Sequence, residues 1–387
     1  MKNYTKIIAT SLSLAALPAF AGGNYSIEAR GDAMGGVGVV SASYLTAPFY
    51  NPALTAIYRR NDDAGMLLPS FGLTYNNEDD LVDEIDTLAA AATDGDIATI
   101  NTTLAAMQGD ELQFELGGAV AFGIPNQFLA ANVFAKAYTE SYITPDVWTS
   151  EVDAVDNAEL TAIKGVTVAV TELGIALAKY QTFMGQHIAF GVSPKLQRIY
   201  TYNYIASASN YDTADLREND TGKTILNVDA GAVWFYGPFR AGISAKNMVP
   251  RSINTVDLTQ EIYNTARDES RTVNAKYKYE VEAVYTVGAG IVADYFTLSV
   301  DYDLNEATKF STFNDNVQMI RVGGEVDLLR QLQVRAGYYQ NLAYSDSEGT
   351  ITAGIGLSPL NLFELDLSAN YTNENSMGAS INFLASY

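Results

Sequence analysis

The chain contains no cysteine. Disulfides, thiolate metal sites, lipid attachment at an N-terminal cysteine and thiol redox chemistry are therefore excluded. It holds a single histidine, His187. Histidine metal clusters and most Ser-His or Cys-His catalytic sets lose their key part. Basic residues are scarce: 23 Lys and Arg stand against 45 Asp and Glu, for a formal charge of −22. Nucleic acid is not an expected partner, because its recognition needs basic patches that displace counterions. The same balance argues against a pore tuned for anions. Tryptophan is also rare, with 2 residues against 25 tyrosines. Tyrosine suits membrane interfaces, apolar in body and polar at the tip.

Residues 1–21 read as a secretory signal peptide. Lys2 and Lys6 form its basic start, Ile7 to Leu17 its apolar centre and Ala19-Phe20-Ala21 its cleavage site. Without those two lysines the balance is 21 basic against 45 acidic residues, a net −24. The rest has no apolar run long enough for a spanning helix. An exported chain of this kind is either soluble or an outer-membrane barrel.

Alternation of apolar and polar residues decides between the two. Phe363, Leu365, Leu367, Ala369 and Tyr371 point one way, and Glu364, Asp366, Ser368 and Asn370 the other. That is the period of a strand. Fourteen such strands are expected: 64–75, 111–123, 127–140, 163–181, 186–205, 225–236, 238–247, 276–292, 295–305, 316–327, 330–341, 349–358, 361–372 and 376–387. Most reach the roughly 9–11 residues of a tilted membrane strand. Short turns and longer loops alternate between them, as in bacterial outer-membrane barrels. The expected fold is all-β: a closed antiparallel transmembrane β-barrel spanning 61–387, with short helices in the first outer loop, 76–110. Closing the last strand on the first removes both sheet edges. Outer-membrane lipid and lipopolysaccharide are the expected surroundings. The terminal aromatic Tyr387 resembles the signal that such barrels present to their insertion machinery.

Residues 22–60 fit neither period. Four glycines between Gly31 and Gly38, with Pro48 and Pro52 beyond, exclude a regular ladder. Yet the Met, Phe, Tyr, Val and Leu content is too apolar for a disordered linker. A compact, irregular, apolar segment needs a container, so it is expected to be a plug inside the barrel. Its glycines do not form a phosphate loop, since the preceding strand, the spacing and the lysine are missing.

Fourteen strands, an N-terminal plug and Asn51-Pro52-Ala53 before the first strand together resemble the FadL-type long-chain fatty-acid channel superfamily. Ala29-Arg30, Ala33-Met34-Gly35-Gly36-Val37-Gly38 and Pro48-Phe49-Tyr50-Asn51-Pro52-Ala53-Leu54 look most like the conjugal-transfer TraF-type outer-membrane proteins. The first resemblance implies passive passage of hydrophobic or amphipathic small molecules across the outer membrane, with a plug that moves and a lateral exit. The second implies a structural envelope role linked to plasmid transfer, acting through the outer loops without transport. Neither implies an enzyme or a cofactor.

Candidate residues follow from the barrel. Arg30, Asp32, Gly35, Gly36, Asn51 and Pro52 are expected to seat the plug. In loop 76–110, Leu81, Ile85 and Leu88 form one helical stripe, and Ile97, Ile100 and Leu104 a second, with Gly95 between them. They are expected to form either a groove that captures an apolar ligand or a lid packed on itself. The loop's nine acidic and no basic residues disfavour a free carboxylate there. Pro194 and Pro69 break the ladder within their strands, which marks a lateral exit or an ordinary bulge. Phe128, Phe134, Tyr138 and Phe235 are expected inside the lumen, as an apolar path or as packing for the plug. Charged residues expected there include Glu115, Lys136, Asp229, Arg240, Lys246, Glu280, Glu282, Asp301, Arg321, Arg335, Glu364 and Asp366. His187 lies next to a short turn, away from any nucleophile at the outer rim, and reads as an interfacial structural residue.

Overall fold

A computed structural model describes residues 28–58, 64–77, 80–151, 153–207, 220–264, 267–310, 313, 315–345, 347–359 and 363–386. The proposed signal peptide, the first plug residues and Tyr387 lie outside the described residues.

Fourteen strands close into one antiparallel barrel. They are β1 (Gly65–Asn76), β2 (Leu112–Ile124), β3 (Ala130–Asp146), β4 (Ala162–Phe183), β5 (Gln186–Ser207), β6 (Asp220–Tyr236), β7 (Phe239–Lys246), β12 (Val284–Val292), β13 (Phe296–Asp303), β14 (Met319–Leu328), β15 (Leu332–Asn341), β16 (Gly349–Leu357), β17 (Glu364–Asn373) and β18 (Ser376–Ser386). Closure pairs β1 with β18. Outward positions carry an apolar band that includes Phe71, Leu73, Leu173, Phe190, Leu226, Ile243, Leu298, Val334, Ile351 and Leu367, all exposed. Inward positions are polar and buried, among them Asn132, Glu172, Gln197, Asn227, Asp301, Arg335 and Asn382. Apolar outside and polar inside is the pattern of a barrel whose solvent is a bilayer.

The wall is uneven. β4 and β5 are 22 residues long, whereas β7 and β13 have 8. At about 3.3 Å per residue, the tall pair exceeds a bilayer even when tilted. Its excess carries an outer subdomain. Two short sheets belong to it, β8 (Arg251–Asn254) with β11 (Lys278–Val281) and β9 (Leu258–Asn264) with β10 (Glu269–Ala275). This corrects one expectation. The long strand 276–292 is two strands interrupted at Glu282 and Ala283. Glu280 therefore sits on the small outer sheet, where Lys278 pairs with it, and Glu282 accepts the Thr308 N–H. Alternation runs unbroken through 276–292 because each piece has its own buried face, so pattern alone cannot reveal the break.

Three helices complete the outer subdomain: α3 (Leu81–Asp94), α4 (Ile97–Ala106) and α5 (Ala154–Leu160). Gly95 ends α3 at φ 70°, a left-handed conformation that glycine adopts without strain. Asp96 then caps α4 by accepting the Thr99 N–H. Within the lumen, residues 28–58 form α1 (Ala29–Ala33), α2 (Ala47–Tyr50) and a 3-10 turn, Pro52–Ala56.

Candidate functional site

The plug is fastened to the wall mainly by side chains that cap its irregular backbone. Asn132 donates to the carbonyls of Tyr44 and Leu45 at 2.9 and 3.0 Å. Ser244 donates to Tyr50 at 2.6 Å, Thr352 to Ala33 at 2.9 Å and Arg240 to Val40 at 3.1 Å. Asn382 accepts from Ala29 N–H at 2.6 Å, and one Asp301 oxygen accepts from both Gly38 and Val39 at 2.7 and 2.9 Å. A backbone without helix or sheet must find its partners elsewhere when buried. This wall supplies them.

Arg30 and Asp32 both face the wall. Arg30 forms a two-pronged pair with Glu325 at 2.9 and 3.0 Å and also donates to Ser41. Glu325 is shared with Arg335, which is 1% exposed and also pairs with Glu364 and Asp366. Among the described residues Asp32 meets no cation. It accepts from Ser368 at 2.5 Å, Ser380 at 3.0 Å and Asn370 at 3.3 Å. Burial raises its pKa against those three donors. Glu28 caps α1 by accepting from the Arg30 and Gly31 N–H groups and takes a bond from the Tyr50 hydroxyl. Burial pushes its carboxyl up to about 7, with nearby Arg30 opposing the rise.

Small residues let plug and wall touch backbone to backbone. Gly35, at φ 68°, lies so close to β15 that a Cβ would come within 2.8 Å of the Tyr338 nitrogen. The wall reciprocates, since a Cβ on Gly323 would stand 2.0 Å from the Met34 oxygen. Gly36 lies against the Arg321 stem. Pro52 rests on Gly191, whose Cβ would approach the Pro52 carbonyl carbon to 2.3 Å. Asn51 donates to the Val39 and Ile243 carbonyls at 2.9 and 3.3 Å and accepts from Ala53 N–H at 3.1 Å.

The plug divides the lumen. At the short-turn rim is a vestibule of about 500 Å³, lined by Arg30, Ser41, Tyr44, Arg240, Glu325 and Arg335 among others. On the plug's other side is a chamber of about 100 Å³, bounded by Val39, Phe49 and Tyr50 of the plug. Its lining is highly charged: Lys136, Glu172, Lys195, Asp229, Lys246, Asp301, Asp303 and Arg321. Lys195 pairs with Asp229 at 2.9 Å and Glu172 at 3.5 Å, and Arg321 with Asp303 at 2.9 Å. Lys136 stacks over Tyr138 and Lys246 over Tyr50, at 4.5 and 5.6 Å from the ring centres. The chamber is thus a mixed space, with these charged groups beside Val39, Phe49, Val284 and Val317. A third space, of about 420 Å³, opens at the long-loop rim between Glu111, Glu115, Tyr142, Lys309, Asp315, Tyr339 and their neighbours. Between this vestibule and the chamber runs the β13–β14 connection, which contributes Lys309 and Asp315 to the one and Ala307 to the other, while Val317 borders both.

The expected capture groove is not open. Leu81, Ile85, Leu88, Ile100 and Leu104 are 0–3% exposed and form one core with α5, Ile163 and Tyr204. Two amphipathic stripes placed back to back hide each other, and the tall β4 and β5 cover the remainder. Ile97 is 57% exposed and lies outside that core.

The two prolines differ. At Pro69 the register shifts by one residue against both neighbours, the signature of a bulge. Ser70 repairs it, its hydroxyl accepting from Ala119 N–H at 3.0 Å and donating to the Ala119 carbonyl at 3.3 Å. At Pro194 there is no shift. The β4–β5 pairing lapses between Gly174–Lys195 and Leu177–Val192 and resumes in register, while pairing to β6 continues. Pro194 is thus a local interruption of one ladder.

Of the expected lumen aromatics, Phe134 is buried and packs edge-on against Phe49 at 5.7 Å, and Phe235 packs on the plug cluster. Tyr138 lines the chamber. Phe128 is 77% exposed in the short turn before β3, and therefore outside the lumen. The strand starts at Ala130, not at 127, which releases Phe128 from the inward alternation. His187 lies at the short-turn rim, stacked on Tyr180 with a 2.6 Å bond to its hydroxyl. The plug-seating Asn132, Ser244, Thr352, Ser368 and Asn382 were not singled out from sequence. Their one signal is a hydrogen-bonding side chain at an inward strand position.

Comparison with known proteins places this geometry. The family model described as "F plasmid transfer operon, TraF, protein" matches residues 48–303. No curated protein matches the chain. Among solved structures, the toluene transporter TbuX of Ralstonia pickettii is similar over 93% of this chain and 97% of its own, at 11% identity and TM-score 0.56. The CymD monoaromatic hydrocarbon channel is similar over 94% and 98%, at 14% identity and TM-score 0.57. A Pseudomonas aeruginosa FadL homologue is similar over 95% and 99%, at 11% identity and TM-score 0.55. At such identities the likeness is one of fold, and it extends over nearly the whole of each chain.

Proposed function

We propose, for a chain that belongs to the TraF family of F plasmid transfer operon proteins and has the fold of FadL-type channels, that it is a passive channel of the bacterial outer membrane for small amphipathic molecules. The short-turn rim then faces the periplasm and the long-loop rim the exterior. The observation that carries the reading is a closed barrel whose plug separates a vestibule at one rim from spaces at the other. A purely structural barrel has no need of open spaces on both sides of its plug. The charged chamber favours molecules with a polar or ionic group beside an apolar body over plain hydrocarbons, since a hydrocarbon there would strand charges without water.

The test is mass spectrometry of small molecules retained by protein extracted from native outer membrane in mild detergent, followed by flux of any retained molecule into proteoliposomes. A retained amphiphile whose entry scales with the amount of protein supports the channel. No retained molecule, with no flux of an amphiphile panel, overturns it. One feature favours a second reading, a structural role in plasmid transfer: the tall β3–β6 wall lifts the helices and small sheets well above the bilayer, as a partner-binding surface requires. Loss of plasmid transfer on deleting the outer subdomain, with flux unchanged, would favour that role.

A further inference from the structure

The β13–β14 connection does not arch away from the barrel. It crosses it. β13 and β14 stand opposite β2 and β3 in the ring of fourteen strands, seven places away in either direction. Yet Lys309 of this connection reaches Glu115 of β2 at 3.2 Å and Glu140 of β3 at 3.1 Å. Lys309 is 8% exposed and Phe310 is 0% exposed. Two arms stiffen the crossing, with Ala307 and Val317 exchanging backbone bonds at 3.0 and 2.8 Å. Asp315 ties the two arms together by accepting from the Phe310 N–H at 2.6 Å. Phe310 then meets Tyr142 of β3 edge-on at 5.3 Å, and Phe313 stacks on that ring at 5.4 Å.

We infer that this connection is a second gate, a strap across the barrel mouth that opens and closes the chamber to the exterior independently of the plug. The inference rests on the channel reading. It follows from where the spaces lie. The strap's Ala307 and Val317 roof the chamber, whose floor is Val39, Phe49 and Tyr50 of the plug. Lys309 and Asp315, on the strap's other surface, face the outer vestibule. Plug and strap thus bound the chamber of about 100 Å³ on its two sides along the barrel. Passage then needs the two seals to open, and opening them in turn never leaves a continuous hole. The strap's hold beyond its own arms gathers at one place, where Lys309 meets Glu115 and Glu140, Phe310 and Phe313 meet Tyr142, and β11 joins them through the Phe310–Tyr279 pairing and the Lys309 carbonyl, which accepts the Glu280 N–H at 2.7 Å. Removing one partner of a buried ion pair is strongly destabilising, so Lys309 is the point at which the strap is loosened.

The absence of native cysteine makes the test direct. Val284 lines the chamber, so Val284→Cys gives a single reporter thiol. A charged, membrane-impermeant methanethiosulfonate is applied to intact cells, and the labelling rate is read with the strap native and with Lys309→Met. Heat-modifiable gel mobility confirms that each barrel is folded. The expected result is slow labelling with Lys309 and at least about tenfold faster labelling with Lys309→Met, as for a locally opened element. If Lys309→Met misfolds, Glu140→Gln serves as the second, milder variant, with a smaller acceleration in the same direction. Fast labelling with the native strap, or equal slow labelling in folded strap variants, overturns the gate. Because the reagent is not the transported molecule, failure of the channel reading would appear in the flux assay and leave this readout intact.

Discussion

Plug and strap close the same lumen from opposite ends, and they are built in opposite ways. The plug spreads its hold around the ring, with bonds to β3, β7, β13, β14, β16, β17 and β18. Most are neutral or singly charged hydrogen bonds, each contributing roughly 1 kcal/mol net and more where a charge takes part. No single loss should free it. The strap is held beyond its own arms at one place, by Lys309, Phe310 and Phe313 against β2, β3 and β11. A distributed seal resists mutation, whereas a concentrated one can switch.

That contrast can be broken most severely at Arg335. It is buried among Glu325, Glu364 and Asp366, and it helps hold the carboxylate that clamps Arg30. Arg335→Met leaves those carboxylates without their shared cation. It should cost about 3–5 kcal/mol, read as a lower temperature of heat-modifiable gel mobility. A loss under 1 kcal/mol would mean that water reaches the cluster and that the plug seat is looser than its geometry suggests.

A second test asks whether the outer subdomain is a unit separate from both seals. Leu104→Asp puts a charge among Leu81, Ile85, Leu88 and Ile100. It should cost about 2–5 kcal/mol, yet only locally. Limited proteolysis should cut α3 and α4 while the barrel keeps its folded gel mobility. Loss of the barrel as well would show that the subdomain props up the tall β4–β5 wall.

Acidity sharpens the comparison from the plug side. The carboxyl of Glu28 has its pKa raised by burial to about 7, from an ordinary 4.5. The folded plug therefore prefers the protonated form. The stabilisation is full below the ordinary value and is lost as pH rises through about 7. Plug openings in planar bilayers should grow more frequent between pH 5 and pH 8, by about tenfold. Glu28→Gln should hold the low frequency across that range. A pH response unchanged in this variant would assign the titration elsewhere. The strap's Asp315 is likewise raised to about 6 by burial, so a residual step near that pH that disappears in Asp315→Asn belongs to the strap. Smallest of all is Ile97→Asp, at an exposed position, expected within about 0.5 kcal/mol of wild type.

Much of the wall was legible in the sequence. Fourteen strands were readable because lipid outside and polar atoms inside impose a two-residue period on each of them. The plug was readable by contrast, as an apolar, glycine-rich stretch with neither period. Its anchors were only half readable. Arg30 and Asp32 announce themselves as charges, but Asn132, Ser244 and Asn382 look like any polar inward residue until the plug's carbonyls and N–H groups are placed beside them.

The outer side was the hard part. The helices of 76–110 were visible from their stripes, but whether the stripes make a groove or a core depends on what faces them. That proved to be α5 and strands more than fifty residues further along the chain. The break at Glu282 was hidden because two short strands in different sheets kept one continuous alternation. The strap carries no local mark, and Lys309 reads as an ordinary loop lysine. Sequence by itself determined the barrel and the existence of a plug, because those follow from periodicity along the chain. Which spaces stay open, and what closes them, was decided only by tertiary structure. Those outcomes depend on groups nearly two hundred residues apart, such as Lys309 and Glu115, and no local pattern records which residue will stand opposite another across a closed ring.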